Sequence, residues 1–180
     1  MSNWADNVET LISQKEIHAR IEQLGRTITL DYKDDELVLI GVLKGSFLFM
    51  ADLCRQIDNK LSCDFFGLSS YGDKTKTSGV IRITSDLKRP IEGKNVLVVE
   101  DIVDTGLTMQ YLLANLQTRK PKSVKVCTLL EKPSRKLVET QIDYLGFEVP
   151  DVFVVGYGLD YKGRYRNLEY IGQLKEESLA

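Results

Sequence analysis

Apolar positions along the chain keep two rhythms, and the change from one to the other marks the elements. Ile17, Ile21, Leu24 and Ile28 recur at helical spacing behind Ser13-Gln14-Lys15-Glu16, whose Ser and Glu form a capping box. L-V-L-I-G-V-L (Leu37–Leu43) is short, continuous and β-branched, as a strand buried on both faces should be. Lys44-Gly45-Ser46 interrupts the run, and the segment Phe47–Ile57 predicts a second helix. A strand over Cys63–Ser69 leads into a polar stretch, Ser69–Gly79, with almost nothing to bury. Val80–Thr84 alternates and predicts a ribbon arm beside that strand. After the turn Pro90–Gly93, Asn95–Val99 is the clearest core strand. A helix from about Thr108 to Gln117 stops before Pro121, and Ser123–Leu130 and Phe153–Val155 read as further strands.

Strand alternating with helix predicts an α/β fold, a mainly parallel twisted sheet flanked by helices. Its site should lie past the carboxyl ends of the strands. No repeat or Pro/Gly-rich linker divides the 180 residues, so one domain, 1–180, is expected. With 43% apolar and 28% charged residues, the chain is ordinary for a globular protein and unlike a disordered one. Its longest apolar run, Leu37–Leu43, is far below the roughly 20 residues of a spanning helix. The opening M-S-N-W-A-D-N-V-E-T does not read as a signal peptide, so a cytoplasmic protein with no membrane role is expected. Cys54, Cys63 and Cys127 form no C-x-x-C pair and predict buried free thiols in a reducing compartment. The single histidine, His18, excludes a His-rich zinc site and any relay built on another histidine. Chemistry must come from carboxylates, Lys, Arg and backbone.

Such residues gather in V-L-V-V-E-D-I-V-D-T-G-L-T (Val96–Thr108). A hydrophobic strand stops at Glu100 and Asp101, and Asp104-Thr105-Gly106 leads into a helix. Backbone amides at a helix N-terminus make a phosphate cradle, with Gly106 and the hydroxyls of Thr105 and Thr108 permitting close approach. Vicinal acids suit the two hydroxyls of a ribose, directly or through a metal. A polar strand end with an Asp helix cap is the plainer alternative. Asp-Thr-Gly also occurs in aspartic proteases, but the following helix does not suit their all-β architecture.

The same block closely resembles the phosphoribosyl-diphosphate (PRPP) signature of type I phosphoribosyltransferases. From Leu37 to Leu174 the chain resembles the bacterial hypoxanthine-guanine (6-oxopurine) members. The likeness rests on L-K-G-S (Leu43–Ser46), S-S-Y-G (Ser69–Gly72), the PRPP block, L-L-E-K (Leu129–Lys132) and F-V-V-G-Y-G-L-D-Y (Phe153–Tyr161) with Arg166. It implies transfer of the phosphoribosyl group from PRPP to N9 of hypoxanthine or guanine, giving IMP or GMP and pyrophosphate. By the same resemblance, Asp104, Thr105, Gly106, Leu107 and Thr108 hold the 5′-phosphate. Glu100 and Asp101 bind the ribose hydroxyls near a magnesium ion, and Asp104 is the general acid/base at N7. Leu43, Lys44 and Gly45 form a pyrophosphate loop with a cis peptide before the lysine, and Arg166 contacts pyrophosphate. Lys132 donates to the 6-oxo group, Phe153 stacks on the purine, and the Val154 carbonyl faces its N1/2-amino edge. Asp160, grouped with the purine side of the site, binds a second Mg²⁺ carrying pyrophosphate. Ser70 and Tyr71 begin a mobile lid over about 69–79. A small hood comprises about 131–180 with the N-terminal segment. Family members are homodimers or homotetramers. Without the resemblance, Lys132 reads as a solvated lysine, Phe153 as core, Asp160 and Arg166 as surface charges, and the lid as an exposed hairpin.

The departures are Glu169 and Gln173, where proline and an apolar residue are expected, and Val80, where many relatives carry an acid. A second class of function is regulatory nucleotide binding on RNA or DNA. A nucleic-acid reader should carry a basic footprint. This chain has 24 basic and 26 acidic residues, a net −2, and its basic runs are short and dispersed, so no nucleic-acid partner is expected.

Overall fold

The computed structural model describes residues 5–71 and 80–175, with the side chains of Ser70, Tyr71 and Val80 left out. Strand β1 (Val8–Ile12) precedes helix α1 (Gln14–Tyr32). The predicted capping box is formed: Glu16 N donates to Ser13 Oγ at 3.3 Å and Ser13 N to Glu16 Oε2 at 2.8 Å. Then follow β2 (Leu37–Leu43), α2 (Phe47–Cys54), β3 (Leu61–Tyr71), β4 (Val80–Ser85), β5 (Asn95–Val103), α3 (Leu107–Gln117) and β6 (Ser123–Glu131). A 3₁₀ turn (Pro133–Arg135), β7 (Tyr144–Glu148), β8 (Val154–Val155) and β9 (Ile171–Leu174) complete the described chain.

Six strands form one sheet in the order β4-β3-β2-β5-β6-β7. Only the edge strand β4 runs antiparallel to its neighbour; the other pairings are parallel. Side chains alternate across the sheet, and both faces are covered. Leu37, Leu39, Leu97, Val99 and Leu129 pack with α1 and α2, whereas Val38, Ile40, Val96, Val98 and Val126 pack with Met109, Leu112 and Leu116 of α3. From β2 the chain crosses to β3 on one side, and from β5 to β6 on the other. The crevice between the carboxyl ends of β2 and β5 is therefore the topological switch point, where open α/β sheets bind ligands. A separate three-stranded sheet, β1-β9-β8, joins the two ends of the described chain.

The expected α/β class and mainly parallel sheet are found, and several boundaries change. β5 continues to Val103, because β6 runs equally far and pairs Glu100 with Thr128, Ile102 with Leu130 and Val103 with Glu131. Glu100 and Asp101 thus lie within the strand, not beyond it. α2 stops at Cys54, short of Ile57. Of the three free cysteines only Cys127 is buried; Cys54 is half-buried and Cys63 exposed, since Cys54 ends its helix and Cys63 lies in β3, next to the sheet's edge strand. β1 and β7 had no sequence signal. Gln173 sits in β9 between Glu9 and Val154, so the departing tail still pairs. Of the expected lid, residues 72–79 lie outside the described residues.

Candidate functional site

Two adjoining cavities open at the carboxyl ends of β2 and β5, and Glu100 and Thr108 line both. The first, about 170 Å³, is bounded by Asp104, Thr105, Gly106 and Met109. The second, about 240 Å³, is bounded by Leu43, Lys44, Gly45, Asp101, Asp160 and Arg166.

The first cavity is a backbone cradle. Gly106 is the N-cap of α3 with φ +83°, and no side chain caps the helix. Asp104 is therefore not the cap of α3. The uncapped amides of the first turn remain available to an anion. Besides its left-handed backbone, Gly106 is confined by its neighbours: a Cβ there would meet the Val138 carbonyl oxygen at 2.7 Å and Thr140 Oγ1 at 2.8 Å. The Thr105 carbonyl accepts from the Leu137 and Val138 amides at 3.0 and 3.2 Å, which ties the loop to the chain behind it.

The second cavity brings together segments far apart in sequence. The peptide bond Leu43–Lys44 is cis. Lys44 is exposed and Gly45 buried. Gly158, with φ +100°, packs so closely that a Cβ there would meet the Gly45 carbonyl oxygen at 2.1 Å. Arg166 lies 2.7 Å from Asp160 Oδ1 and donates to the Gly158 carbonyl at 2.6 Å, and Asp160 Oδ2 accepts from the Gly163 amide at 2.7 Å. Arg166 and Asp160 are thus fixed on the loop that buttresses Gly45.

Glu100 is buried, and desolvation together with the neighbouring Asp101 carboxylate holds its carboxyl well above the usual range. The site contains a buried acid that resists ionisation where it stands.

Beyond the end of β6, Lys132 is buried and its amide donates to the Val103 carbonyl at 3.0 Å, placing it beside Asp104. Lys132 Nζ lies 3.7 Å from Asp151 Oδ1. Phe153 is 41% exposed, which offers its face to a ligand, and meets Tyr161 edge-on at 5.4 Å; Val154 is buried in β8. Two residues that sequence reasoning missed enter here. Arg135 Nε lies 2.9 Å from Asp104 Oδ1, and Arg135 Nη1 donates to Asp151 Oδ1 at 3.4 Å. The available signal was proximity: Arg135 follows Lys132 by one turn and Asp151 precedes Phe153 by two residues. Among the described residues, neither Glu100, Asp101 and Asp160 nor any other set of three or more His, Cys, Asp or Glu converges into a ready metal cluster. The backbone of Ser70 and Tyr71 ends β3.

A crevice at the switch point of a parallel sheet, with an uncapped helix N-terminus at one end and Lys44 and Arg166 at the other, is a setting for an anionic ligand. Comparison with known proteins agrees. The family model "Phosphoribosyl transferase domain" matches residues 8–162. A hypoxanthine-guanine phosphoribosyltransferase of Bacillus subtilis is 51% identical over 170 residues, covering 94% of each chain. One from Dictyostelium discoideum is also 51% identical, over 94% of this chain and 96% of its own. The crystal structure of a Staphylococcus aureus hypoxanthine phosphoribosyltransferase superposes with a TM-score of 0.95 at 43% identity, covering 100% of this chain and 99% of that one. The chain therefore belongs to the type I phosphoribosyltransferase family, in its hypoxanthine-guanine branch. It is an enzyme of the transferase class.

Proposed function

We propose that the chain moves the 5-phosphoribosyl group of PRPP to N9 of hypoxanthine or guanine, yielding IMP or GMP and pyrophosphate. The observation that carries this reading is the pair of adjoining cavities sharing Glu100 and Thr108. One is a helix-terminal cradle for a single phosphate, and the other is ringed by Lys44, Gly45 and Arg166 for a diphosphate, so a ribose between them joins two anions. The nucleic-acid reading gains nothing from these relatives.

In this reading Asp104, Thr105, Gly106, Leu107 and Thr108 bind the 5′-phosphate through the loop before α3 and the helix's first turn. Glu100 and Asp101 hold the ribose hydroxyls, which donate to their carboxyl oxygens. As the C1′–O bond to pyrophosphate breaks, charge grows on the leaving group. The Leu43–Lys44–Gly45 loop and Arg166 face that charge in fixed orientation, so they stabilise it without reorganising. Lys132 donates to O6, Phe153 stacks on the ring, the Val154 carbonyl meets the N1/2-amino edge, and Asp104 exchanges the proton at N7. Ser70 and Tyr71 begin a lid that keeps water from the activated sugar. The three-stranded sheet, with the chain from about 131 onward, serves as the hood over the base, all within one domain, 1–180.

The donor set Glu100, Asp101 and Asp160 is all oxygen and suits Mg²⁺. Mg²⁺ is habitually held by one or two carboxylates together with substrate phosphates, so a site without a ready cage fits it. When bound it would neutralise charge on the departing pyrophosphate. No helix among the described residues is long and apolar enough to cross a membrane, and we read the enzyme as a cytoplasmic homodimer or homotetramer. An ultraviolet assay with PRPP, Mg²⁺ and five bases in turn (hypoxanthine, guanine, xanthine, adenine, uracil) tests the reading. Turnover of hypoxanthine or guanine is expected; turnover of adenine or uracil alone would overturn it.

A further inference from the structure

The site holds a chain of alternating charge of which the proposed mechanism uses only the two ends. Lys132, Asp151, Arg135 and Asp104 follow one another at 3.7, 3.4 and 2.9 Å, and a single oxygen, Oδ1 of Asp151, faces both cations. We propose that Arg135 and Asp151 are positioning residues, a bridge that sets the spacing between Lys132 and Asp104 so that both reach one edge of the purine. The inference rests on the purine-site reading above.

O6 and N7 are neighbouring acceptors on the same edge of a 6-oxopurine. A donor for one and a proton-exchanging carboxylate for the other must therefore stand at a fixed separation. The backbone supplies part of that, since the Lys132 amide bonds to the Val103 carbonyl. The stem of Lys132 is packed, since the residue is buried, which leaves the direction of its ammonium head and the χ angles of Asp104 to be set. Arg135 removes this freedom at one end and Asp151 at the other. Arg135 is anchored by the 3₁₀ turn Pro133–Arg135, where its amide bonds to the Lys132 carbonyl at 3.1 Å. The Arg135 guanidinium stands 2.9 Å from Asp104 Oδ1 as an ion pair, leaving that oxygen without a hydrogen-bond partner among the described residues, and donates from Nη1 to Asp151 at 3.4 Å. The neighbouring charges do not compete, because Lys136 is paired with Glu131 at 2.8 Å. Nor does the bridge serve the fold. The side chains of Arg135 and Asp151 are 45% and 54% exposed, and pairs so exposed to water add little stability.

The test is steady-state kinetics of Arg135→Met, Arg135→Lys and Asp151→Asn, with Arg135→Met repeated in an Asp104→Asn background. Arg135→Met is expected to lower kcat about tenfold at an unchanged KM for PRPP, as a misplaced catalytic group does. Arg135→Lys should recover part of that loss. Asp151→Asn should raise the KM for hypoxanthine several-fold and leave that for PRPP alone. In the Asp104→Asn background, Arg135→Met should cost less than about twofold, because groups that act through one another are not additive. Melting temperatures should stay within about 2 °C of wild type, as for surface changes. Wild-type kcat in Arg135→Met, a tenfold loss that repeats without Asp104, or equal losses for base and PRPP would each overturn the inference. Should Asp104→Asn turn over too slowly to measure, the KM-against-kcat split of the single variants decides. Wild-type enzyme that uses no 6-oxopurine would instead overturn the function proposed above, so the two failures are distinct.

Discussion

A methyl group on Gly45 would stand 1.5 Å from Oδ2 of Asp101. Gly45 lies in the loop after β2 and Asp101 within β5, and only the missing side chain lets the loop and the carboxylate share the crevice. The obstacle is the tip of a flexible side chain, so Gly45→Ala can fold by turning the Asp101 carboxylate aside. Its melting temperature should change by a few degrees at most, while kcat/KM falls about 10²-fold, the usual cost of displacing a binding group by about an ångström.

Gly158→Ala should behave in the opposite way. Its φ of +100° is foreign to alanine and the obstacle is backbone, the Gly45 carbonyl oxygen at 2.1 Å. Strain of about 1–3 kcal/mol at such a position corresponds to a melting temperature lower by roughly 2–12 °C for a chain of this size. Thermal melts of the two variants side by side check the contrast. A stable Gly158→Ala and an unfolded Gly45→Ala would reverse it.

Glu100 gives a pH-dependent prediction. Its carboxyl is raised by burial first and by Asp101 second, so the native state binds the proton more tightly than the unfolded chain. The stability this contributes is complete below the unfolded value of about 4.3 and is lost as pH rises through the raised native value. Glu100→Gln cannot ionise. It should match wild type in melting temperature near pH 4 and exceed it at pH 8. A variant less stable than wild type at pH 8 would show that the ionised carboxylate is well satisfied in the native state.

Much of this was legible from the sequence, for reasons visible in particular residues. Leu37–Leu43 and Asn95–Val99 are apolar on both faces, and continuous runs of that kind announce a central parallel strand. Ser13 and Glu16 announced α1 because a cap is a local interaction. What escaped notice was either short or distant. Neither β1 nor β7 carries a regular apolar alternation, and each is stabilised by a partner far away, β1 by β9 and β7 by β6. The extension of β5 through Glu100 and Asp101 was hidden because acids at a strand's end look like its termination; β6 supplies the ladder that carries them. Arg135 and Asp151 carried only the weak signal of lying near Lys132 and Phe153, because their role depends on a contact between the 3₁₀ turn and the β7–β8 connection. Arg166 and Asp160 were found only through resemblance; alone they are ordinary charges.

Lys132 should discriminate between substrates. Removing a charged hydrogen-bond donor costs about 1.5–3 kcal/mol, or roughly 10–150-fold in affinity. Lys132→Ala should show a loss of that size for hypoxanthine and little change for PRPP. Equal losses for the two would place Lys132 elsewhere in the mechanism.

Metal dependence follows from the oxygen donors Glu100, Asp101 and Asp160 beside a highly anionic substrate. Turnover should cease in EDTA and return on adding Mg²⁺. Undiminished turnover in metal-free buffer would remove the metal from the account.

The most direct measurement is turnover of hypoxanthine with PRPP by Asp104→Asn, alongside PRPP binding by the same variant. Asp104 does not cap α3, since Gly106 occupies that position, and asparagine keeps the size and turn preference of aspartate, so the phosphate cradle should survive. Asparagine cannot exchange a proton at N7, and loss of general acid/base catalysis is worth about 10²–10⁴-fold. The account predicts PRPP affinity close to wild type and turnover reduced at least about 10²-fold. Turnover near the wild-type rate would contradict it.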